Sequence, residues 1–542
     1  MMMLIDNRNN WNTLNIVDVF SLLFLFLLVL LGFNSDTLES QKVLYSVLSL
    51  GTLYIVVRSL FLLNRGLMQT VVIAVIALSC LYETIGGFRD LLLRHTPSPI
   101  PQYGSFYNSG PLGGYIAVCA SLLVAYAYTI KNKTKRMLSL IVAIPALILL
   151  PSTFSRASIL ALLISMSLLA ASTGRGRALL KKHYKWLIPV LLLLFTGAYL
   201  IKKPSADGRL FMNRICIRSI QNNKFTGAGL GRYCGAYGEA QFDFFDSMFR
   251  EGLSKADLSS FDKKERLMAD CPENGFNEFI KMGVEGGPLA AVLFLGLIVT
   301  AIVVSLKSGD IWHYGLLTVA VFACFSYPMT YWLFRVLIVV ILAAISGSAG
   351  ETGAKGGILV MSSSLIVMII LLVKIFPGIN AVKQADRSYK DIHYLYSFNK
   401  YNGVTSEHEK LLPYLTSNAT FLFDYGKSLS ASGNYEKSDS ILKLGTRISS
   451  DPMFWNIMGN NSLALGRYRE AEERYMHAFL MVPNRLYPLC LLTKLYYAEG
   501  DYERARKMAK MVMEFKPKVE STTTKELRNE IADLITGIPD GL

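Results

Sequence analysis

Charge is scarce in this chain. Only 18% of its 542 residues are charged, while 52% are hydrophobic; an ordinary soluble domain carries about 25% charged residues. The charge is also unevenly placed. Residues 1–376 are one apolar run after another, and residues 380–542 read as an ordinary soluble sequence. Cysteine is sparse: seven copies contain no CxxC pair, which removes the usual zinc and redox spacings. Cys80, Cys119 and Cys324 fall in apolar runs, where cysteine acts as a small hydrophobe. Cys216, Cys234 and Cys271 share one polar loop; in an oxidising compartment two of them could pair. Histidine is missing altogether from residues 202–285. No small-residue cleavage site follows the first apolar run, which therefore reads as a retained helix rather than a signal peptide.

Basic residues are in excess, giving a formal net charge of +15. No nucleic-acid module accompanies it: zinc-ligand spacing and a basic stripe on a soluble helix are both lacking. Much of the excess sits in two short loops between apolar runs. Lys131, Lys133, Lys135 and Arg136 form one, and Arg175, Arg177, Lys181, Lys182 and Lys185 the other. A topological cause accounts for them, because short loops on the cytoplasmic side are rich in Lys and Arg.

A span needs about 20 mostly apolar residues. Candidates are 15–33, 43–63, 68–88, 111–130, 137–151, 157–173, 185–201, 287–306, 314–330, 331–347 and 357–376, or about eleven. Placing both basic loops in the cytoplasm puts the N-terminus inside. Segment 202–285 and the C-terminal part then lie outside. The fold class expected is all-α: a polytopic membrane bundle over 1–376, a linker and helical cap over 377–418, and a soluble helical solenoid over 419–542.

The solenoid shows in a repeat. GNY at 433–435, GRY at 466–468 and GDY at 500–502 recur at spacings of 33 and 34, with Pro452, Pro483 and Pro517 closing the units. That period and pattern is tetratricopeptide-like. The expected physics is a glycine that permits close helix approach, a tyrosine in the helix–helix seam and a proline that ends the second helix.

Four segments carry candidate chemistry. Phe106 to Gly114 forms a turn at the mouth of the fourth span. Ser152 to Ser158 holds Arg156 between two apolar runs; an arginine there needs a partner or a wet cavity, and its planar fork suits a diphosphate. Loop 202–285 is split by charge: 202–232 has seven bases (Lys202, Lys203, Arg209, Arg214, Arg218, Lys224, Arg232) against Asp207, and 239–285 has eleven acids against six bases. These halves either face an anionic donor and an acceptor or simply pair with each other. Gly227-Ala228-Gly229-Leu230-Gly231 lies in the basic half, but without a βαβ context it is weak evidence for phosphate binding. The fourth segment, Cys271 to Gly287, runs from the loop into the eighth span, with Phe276, Phe279, Ile280 and Gly283 on one helix face.

Taken in order, FYNSGPLGGY, TFSRAS, GRLFMNR, GAGLGRY and NEFIKMGVEGG resemble the O-antigen ligase superfamily over about residues 100–345. That group includes lipopolysaccharide O-antigen ligases, related polymerases and protein O-oligosaccharyltransferases, some with C-terminal tetratricopeptide repeats. The resemblance implies a GT-C-like glycosyltransferase of the bacterial inner membrane, with its large loop and C-terminal domain periplasmic. It would move a preassembled glycan from undecaprenyl diphosphate to a hydroxyl of lipid A-core or protein, without cofactor, metal or nucleotide. Carried over by motif, Arg156 and Arg209 hold the diphosphate, with Arg214 and Arg232 as further candidates. The partners implied are the lipid-linked donor, the acceptor, the bilayer and a protein on the repeats.

The sequence departs from that pattern where the family has a His-Asn pair, for here Phe276-Asn277 stands. Glu278, Glu273, Glu285 or His95 are then the candidates for the base, with Glu278 preferred and Asn277 beside it. Polymerase activity is an alternative, and so is a non-catalytic scaffold working through its repeats. A coupled transporter is disfavoured by the few intramembrane acids.

Overall fold

The structure, a computed structural model, describes residues 13–33, 38–93, 104–174, 176–179, 203–223, 225–253, 263–348, 354–355, 357–397 and 404–537, with a few single positions between 182 and 200. Apart from one antiparallel pair of two-residue strands, β1 (Thr13–Leu14) on β2 (Ala354–Lys355), the regular elements are helices. The apolar part contains α1 (Ile16–Phe33), α2 (Leu38–Leu63), α3 (Arg65–Leu93), α4 (Ser109–Thr129), α5 (Lys133–Leu149) and α6 (Arg156–Ser172). The loop between bundle halves contributes α7 (Lys203–Asn222), α8 (Tyr233–Leu253) and α9 (Lys263–Met268). Three further apolar helices follow, α10 (Glu278–Ser308), α11 (Trp312–Ala323) and α12 (Trp332–Ser348), and then α13 (Gly357–Ser397).

Seven of these helices are long and apolar enough to cross a membrane, and α6, α11 and α12 are shorter apolar helices. They coincide with ten of the stretches expected from the sequence; the remaining one, 185–201, lies outside the described residues. α4 is the central post, with 89% of its apolar window buried against 17–39% for the other six long helices. It packs on α3, α5, α6 and α11, while α1, α2, α10, α12 and α13 gather on the other side.

One ion pair is buried deep in the bundle, where an apolar medium makes an unpaired charge costly. Asp18 of α1 receives Arg58 of α2 at 2.7 and 2.8 Å, Tyr54 at 2.8 Å and Ser346 of α12 at 2.5 Å. Asn15 adds a bond to the Ser346 carbonyl at 2.8 Å. Three helices are thus clamped by one buried carboxylate.

α10 is broken near its start. Gly287 has φ +80 and ψ 174, and Pro288 follows. Proline has no N–H to give the carbonyl four residues back, so Val284 loses its helical donor. The glycine loop supplies it: the Ala228 amide donates to Val284 at 2.8 Å and the Gly229 amide to Glu285 at 2.9 Å. Both sides of this staple need bare backbone. A Cβ on Gly227 would lie 2.5 Å from the Glu285 carbonyl, and one on Gly287 would lie 2.3 Å from the Phe225 carbonyl.

α13 runs through positions 376 and 377 without interruption, so the apolar stretch and the polar one after it share one 41-residue rod. Helix α14 (Thr405–Leu415) follows, and then α15 (Ala419–Ala431), α16 (Tyr435–Thr446), α17 (Met453–Ala464), α18 (Tyr468–Met481), α19 (Tyr487–Glu499), α20 (Tyr502–Glu514) and α21 (Thr522–Thr536). Gly433, Gly466 and Gly500 fall between the helices of successive pairs, all with φ between +71 and +82. A Cβ on any of them would meet nothing within 4 Å. These glycines therefore serve the left-handed turn and not the close helix approach expected from the sequence.

The helix pairs are docked on the loop. Gln241 of α8 donates to the Met481 carbonyl at 2.6 Å, and Asn484 donates to the Ala269 carbonyl at 2.6 Å. His477 is sandwiched between Phe242 of α8 and Trp455, with ring centres 3.7 and 3.8 Å away. Gly235 abuts the Arg447 carbonyl, which a Cβ would meet at 2.2 Å.

Two measurements follow. Arg58→Ala strands a buried carboxylate and is expected to destabilise the bundle by about 3–5 kcal/mol, read as a lowered melting temperature in detergent. Gly235→Leu is expected to lift the helix pairs from α8, so that amides at 447–451 exchange faster in hydrogen-exchange mass spectrometry while the bundle melts unchanged.

Candidate functional site

The segments singled out in the sequence converge at the end of the bundle that carries the loop. Asn108 caps α4, accepting from the Gly110 amide at 2.9 Å while its Nδ2 donates to the Tyr327 hydroxyl at 2.9 Å. The turn before α6 packs against the same segment: a Cβ on Gly113 would crowd Thr153 and Ser155, and Ser155 and Ser158 share a 2.5 Å hydrogen bond. Arg156 opens α6 at this point. Two non-glycine residues beside the turns adopt left-handed backbone, Tyr107 at φ +54 and Phe154 at φ +53. Such conformations cost of order 1–3 kcal/mol and cluster at functional sites.

Arg209 reaches the same place from α7. Its Nη1 donates to the Phe325 carbonyl at 3.0 Å, and its guanidinium lies 4.3 Å over the Phe276 ring. Phe276 in turn meets the edge of Tyr327 at 5.2 Å. Burial, and then the charge of Arg156, pull the Arg209 guanidinium down from its ordinary value. Burial pushes the Tyr327 phenol up, and it takes part as a neutral hydroxyl. The neighbouring Tyr331 is pushed up to about 12, by burial and then by Tyr327.

The other candidates go elsewhere. Arg214 is paired with Glu265 at 2.6 Å and lies over Phe244. Arg232 immediately precedes α8, with its side chain along Gly229. The two halves of the loop largely pair with each other, Lys264 with Asp207 at 3.6 Å and Asn222 with Asp243 at 2.8 Å. The glycine run serves the break in α10. Asn277 is the N-cap of α10, its side-chain oxygen accepting the Phe279 and Ile280 amides at 3.1 Å each. Lys202, Lys224 and His95 lie outside the described residues.

The carboxylates divide into two groups. Glu278 is buried, accepts the Met329 amide at 2.7 Å, and has Lys281, Glu285 and Arg335 as charged neighbours. Glu285 faces the Gly231 and Tyr233 amides. Both line a cavity on the α1–α2–α12 side of α10. Glu273 acts by its charge on the Tyr327 phenol and, together with Lys281 and Glu285, on the Cys234 thiol.

Tyr327 and Arg335 are site residues that the sequence reading missed. The stretch FSYPMTYWLFR was absorbed into two abutting spans. Its signal was Pro328 between two tyrosines and an arginine, a poor fit to continuous membrane helix.

The three loop cysteines are free thiols, so the pairing considered from the sequence does not form. Cys216 contacts the Tyr233 hydroxyl at 3.4 Å, Cys234 donates to the Glu273 carbonyl at 3.3 Å, and Cys271 receives Arg485 at 3.7 Å. No protein-family model matches the chain, and no curated protein matches its sequence.

Burial pushes Cys216 and Cys271 up to about 12 and Cys234 up to about 11. A free cysteine titrates near ~8.5. At pH 8 all three are protonated, and iodoacetamide is expected to label them far more slowly than a free thiol. Peptide mass spectrometry should show the Cys234 rate climbing as pH passes 10, with no mass change on reduction at any pH.

Proposed function

We propose that this chain is an O-antigen-ligase-like glycosyltransferase, moving a preassembled glycan from a polyprenyl diphosphate to a hydroxyl acceptor. The observation that carries the reading is the approach of Arg156 and Arg209. They stand on different helices, more than fifty positions apart: Arg156 opens α6 beside the turn that packs on Asn108, and Arg209 is held by the Phe325 carbonyl and the Phe276 ring next to Tyr327. Two guanidiniums brought to one end of the bundle suit a diphosphate, whose oxygens match their planar forks. The ordered likeness of the five segments to that superfamily supports the same assignment.

In the reaction proposed, the acceptor oxygen bonds to the anomeric carbon as the bond from that carbon to the diphosphate breaks. The diphosphate leaves with the electron pair, and the arginines stabilise the charge that gathers there, commonly the largest catalytic term. Glu273, whose charge acts on the Tyr327 phenol, takes the hydroxyl proton. Asn277 acts by fixing the first turn of α10, and Phe276 by supporting Arg209. In this reading the protein lies in a bacterial inner membrane with about eleven spans, and its loop faces the periplasm. The helix pairs are tetratricopeptide repeats held against that loop beside the reacting groups, where they present an acceptor or a protein partner.

The test is glycan transfer in a deletion strain complemented with variants, blotting both lipopolysaccharide and total glycoprotein. Arg156→Ala and Arg209→Ala are each expected to reduce transfer by about 10²-fold or more, and Glu273→Gln by about 10²–10⁴-fold, at unchanged expression. The pool that loses glycan names the acceptor. Loss of chain length alone indicates a polymerase. Full complementation by both arginine variants returns the protein to the scaffold reading.

A further inference from the structure

On the face of α10 away from Arg209, four helices fail to close on one another. α1, α2, α10 and α12 line a half-open cavity of about 520 Å3, within the ~300–1,000 Å3 typical of small-molecule sites. Its walls are apolar and deep, with Leu25 and Leu28 from α1, Val47 and Leu50 from α2, Leu297 from α10 and Leu342 from α12. Helices on all sides are apolar enough to sit in a membrane, which makes a lipid chain the occupant nearest to hand.

The end of the cavity nearest the loop is built differently. Lys42, Lys281 and Arg335 bring three cations to it, and Glu278 and Glu285 bring two carboxylates. These groups are held in place by the protein. Lys42 is tied to Asp386 at 3.0 Å. Arg335 donates to the Met329 and Thr330 carbonyls at 2.6 and 3.0 Å and to Ser46 at 3.1 Å. A guanidinium has five N–H donors, so part of its fork stays available. Lys281 stands between Glu278 and Glu285 on the same face of α10 without a direct ion pair among the described residues. Glu278 spends one oxygen on the Met329 amide, which leaves its other oxygen to the cavity. A rim with fixed cations and fixed carboxylates side by side, above an apolar shaft, matches a headgroup that carries both charges.

We propose that this cavity is a phospholipid site. One acyl chain fills the shaft between α1, α2, α10 and α12. The phosphate sits against Lys281 and Arg335, and a primary ammonium of the same headgroup sits against Glu278 and Glu285. The site is separate from the arginine site: Arg156, Arg209, Phe276 and Tyr327 are not among its lining residues. It does not depend on the proposed reaction. The bound lipid fills the space between α10 and its neighbours and so holds that turn in register.

The test uses the full chain in nanodiscs that contain phosphatidylethanolamine, phosphatidylglycerol, phosphatidylcholine and undecaprenyl phosphate together. The protein is released into mild detergent, and the retained lipid is read by native mass spectrometry. About one phosphatidylethanolamine per chain is expected. Lys281→Ala should lower its retention by about tenfold, the value of one charge-assisted contact. Val47→Trp should abolish it by filling the shaft, and Leu30→Trp, on the exposed face of α1, should leave it unchanged. Because Val47→Trp can disturb folding, wild-type protein is also labelled with phosphatidylethanolamine bearing a diazirine on its chain. Cross-links at Leu25, Val47 or Leu297 support the site. The proposal is overturned by retention of no lipid, by equal retention in the Val47→Trp variant, or by cross-links confined to surface positions such as Leu23 and Val292. Preferential retention of phosphatidylglycerol or undecaprenyl phosphate would also overturn it, since both lack the ammonium.

Discussion

The break in α10 is the constraint around which the loop end of the molecule is arranged. Apolar surroundings leave no solvent for a stranded carbonyl, and Pro288 strands one at Val284. The amides of Ala228 and Gly229 answer it from the loop. That pairing fixes residues 225–231 against the bundle, and through them it places the start of α8 and the whole of the docked helix region. It also separates the first turns of α10 from the apolar rod below, so that Asn277 can cap them in a direction of their own.

Those first turns act as a partition. Phe276 looks towards Arg209 and Tyr327, while Glu278, Lys281 and Glu285 look towards the cavity beside α12. The geometry explains how a polar segment is carried at the edge of an apolar bundle. Each face is given partners: an aromatic ring and a carbonyl for the arginine on one side, and an array of mixed charge on the other. The segment Phe325–Tyr331 is shared by both faces. It supplies the Phe325 carbonyl to Arg209, the Tyr327 hydroxyl to Asn108, and the Met329 amide to Glu278.

Much of the architecture was legible in the sequence because apolar runs and a 33–34-residue period are local signals. Arg156 and Arg209 were legible as a pair only through the order of motifs, since nothing in their spacing brings them to one end of the bundle. The glycine run was legible as unusual backbone but not as to its purpose, because its partners lie more than fifty residues later and are carbonyls, which every residue has. The preference for Glu278 followed from its place beside Asn277. Helical geometry turned it towards the cavity, and a difference of two positions was enough to change sides. Residues such as Gln241 and Asn484, which bind the loop to the helix pairs, carry no signal at all in a single sequence, because polar amides on soluble helices are ordinary.

The docking of the helix pairs changes what they can do. A tethered array on a flexible linker would raise the local concentration of a partner without orienting it. Here the array shares a hydrophobic cluster with α7 and α8, and its contacts include backbone carbonyls at 447, 481 and 516 that a sliding interface would not hold. α7 carries Arg209, and α8 begins at the loop that staples α10. A load applied to the helix pairs is therefore transmitted through packed elements to both faces of the α10 turn.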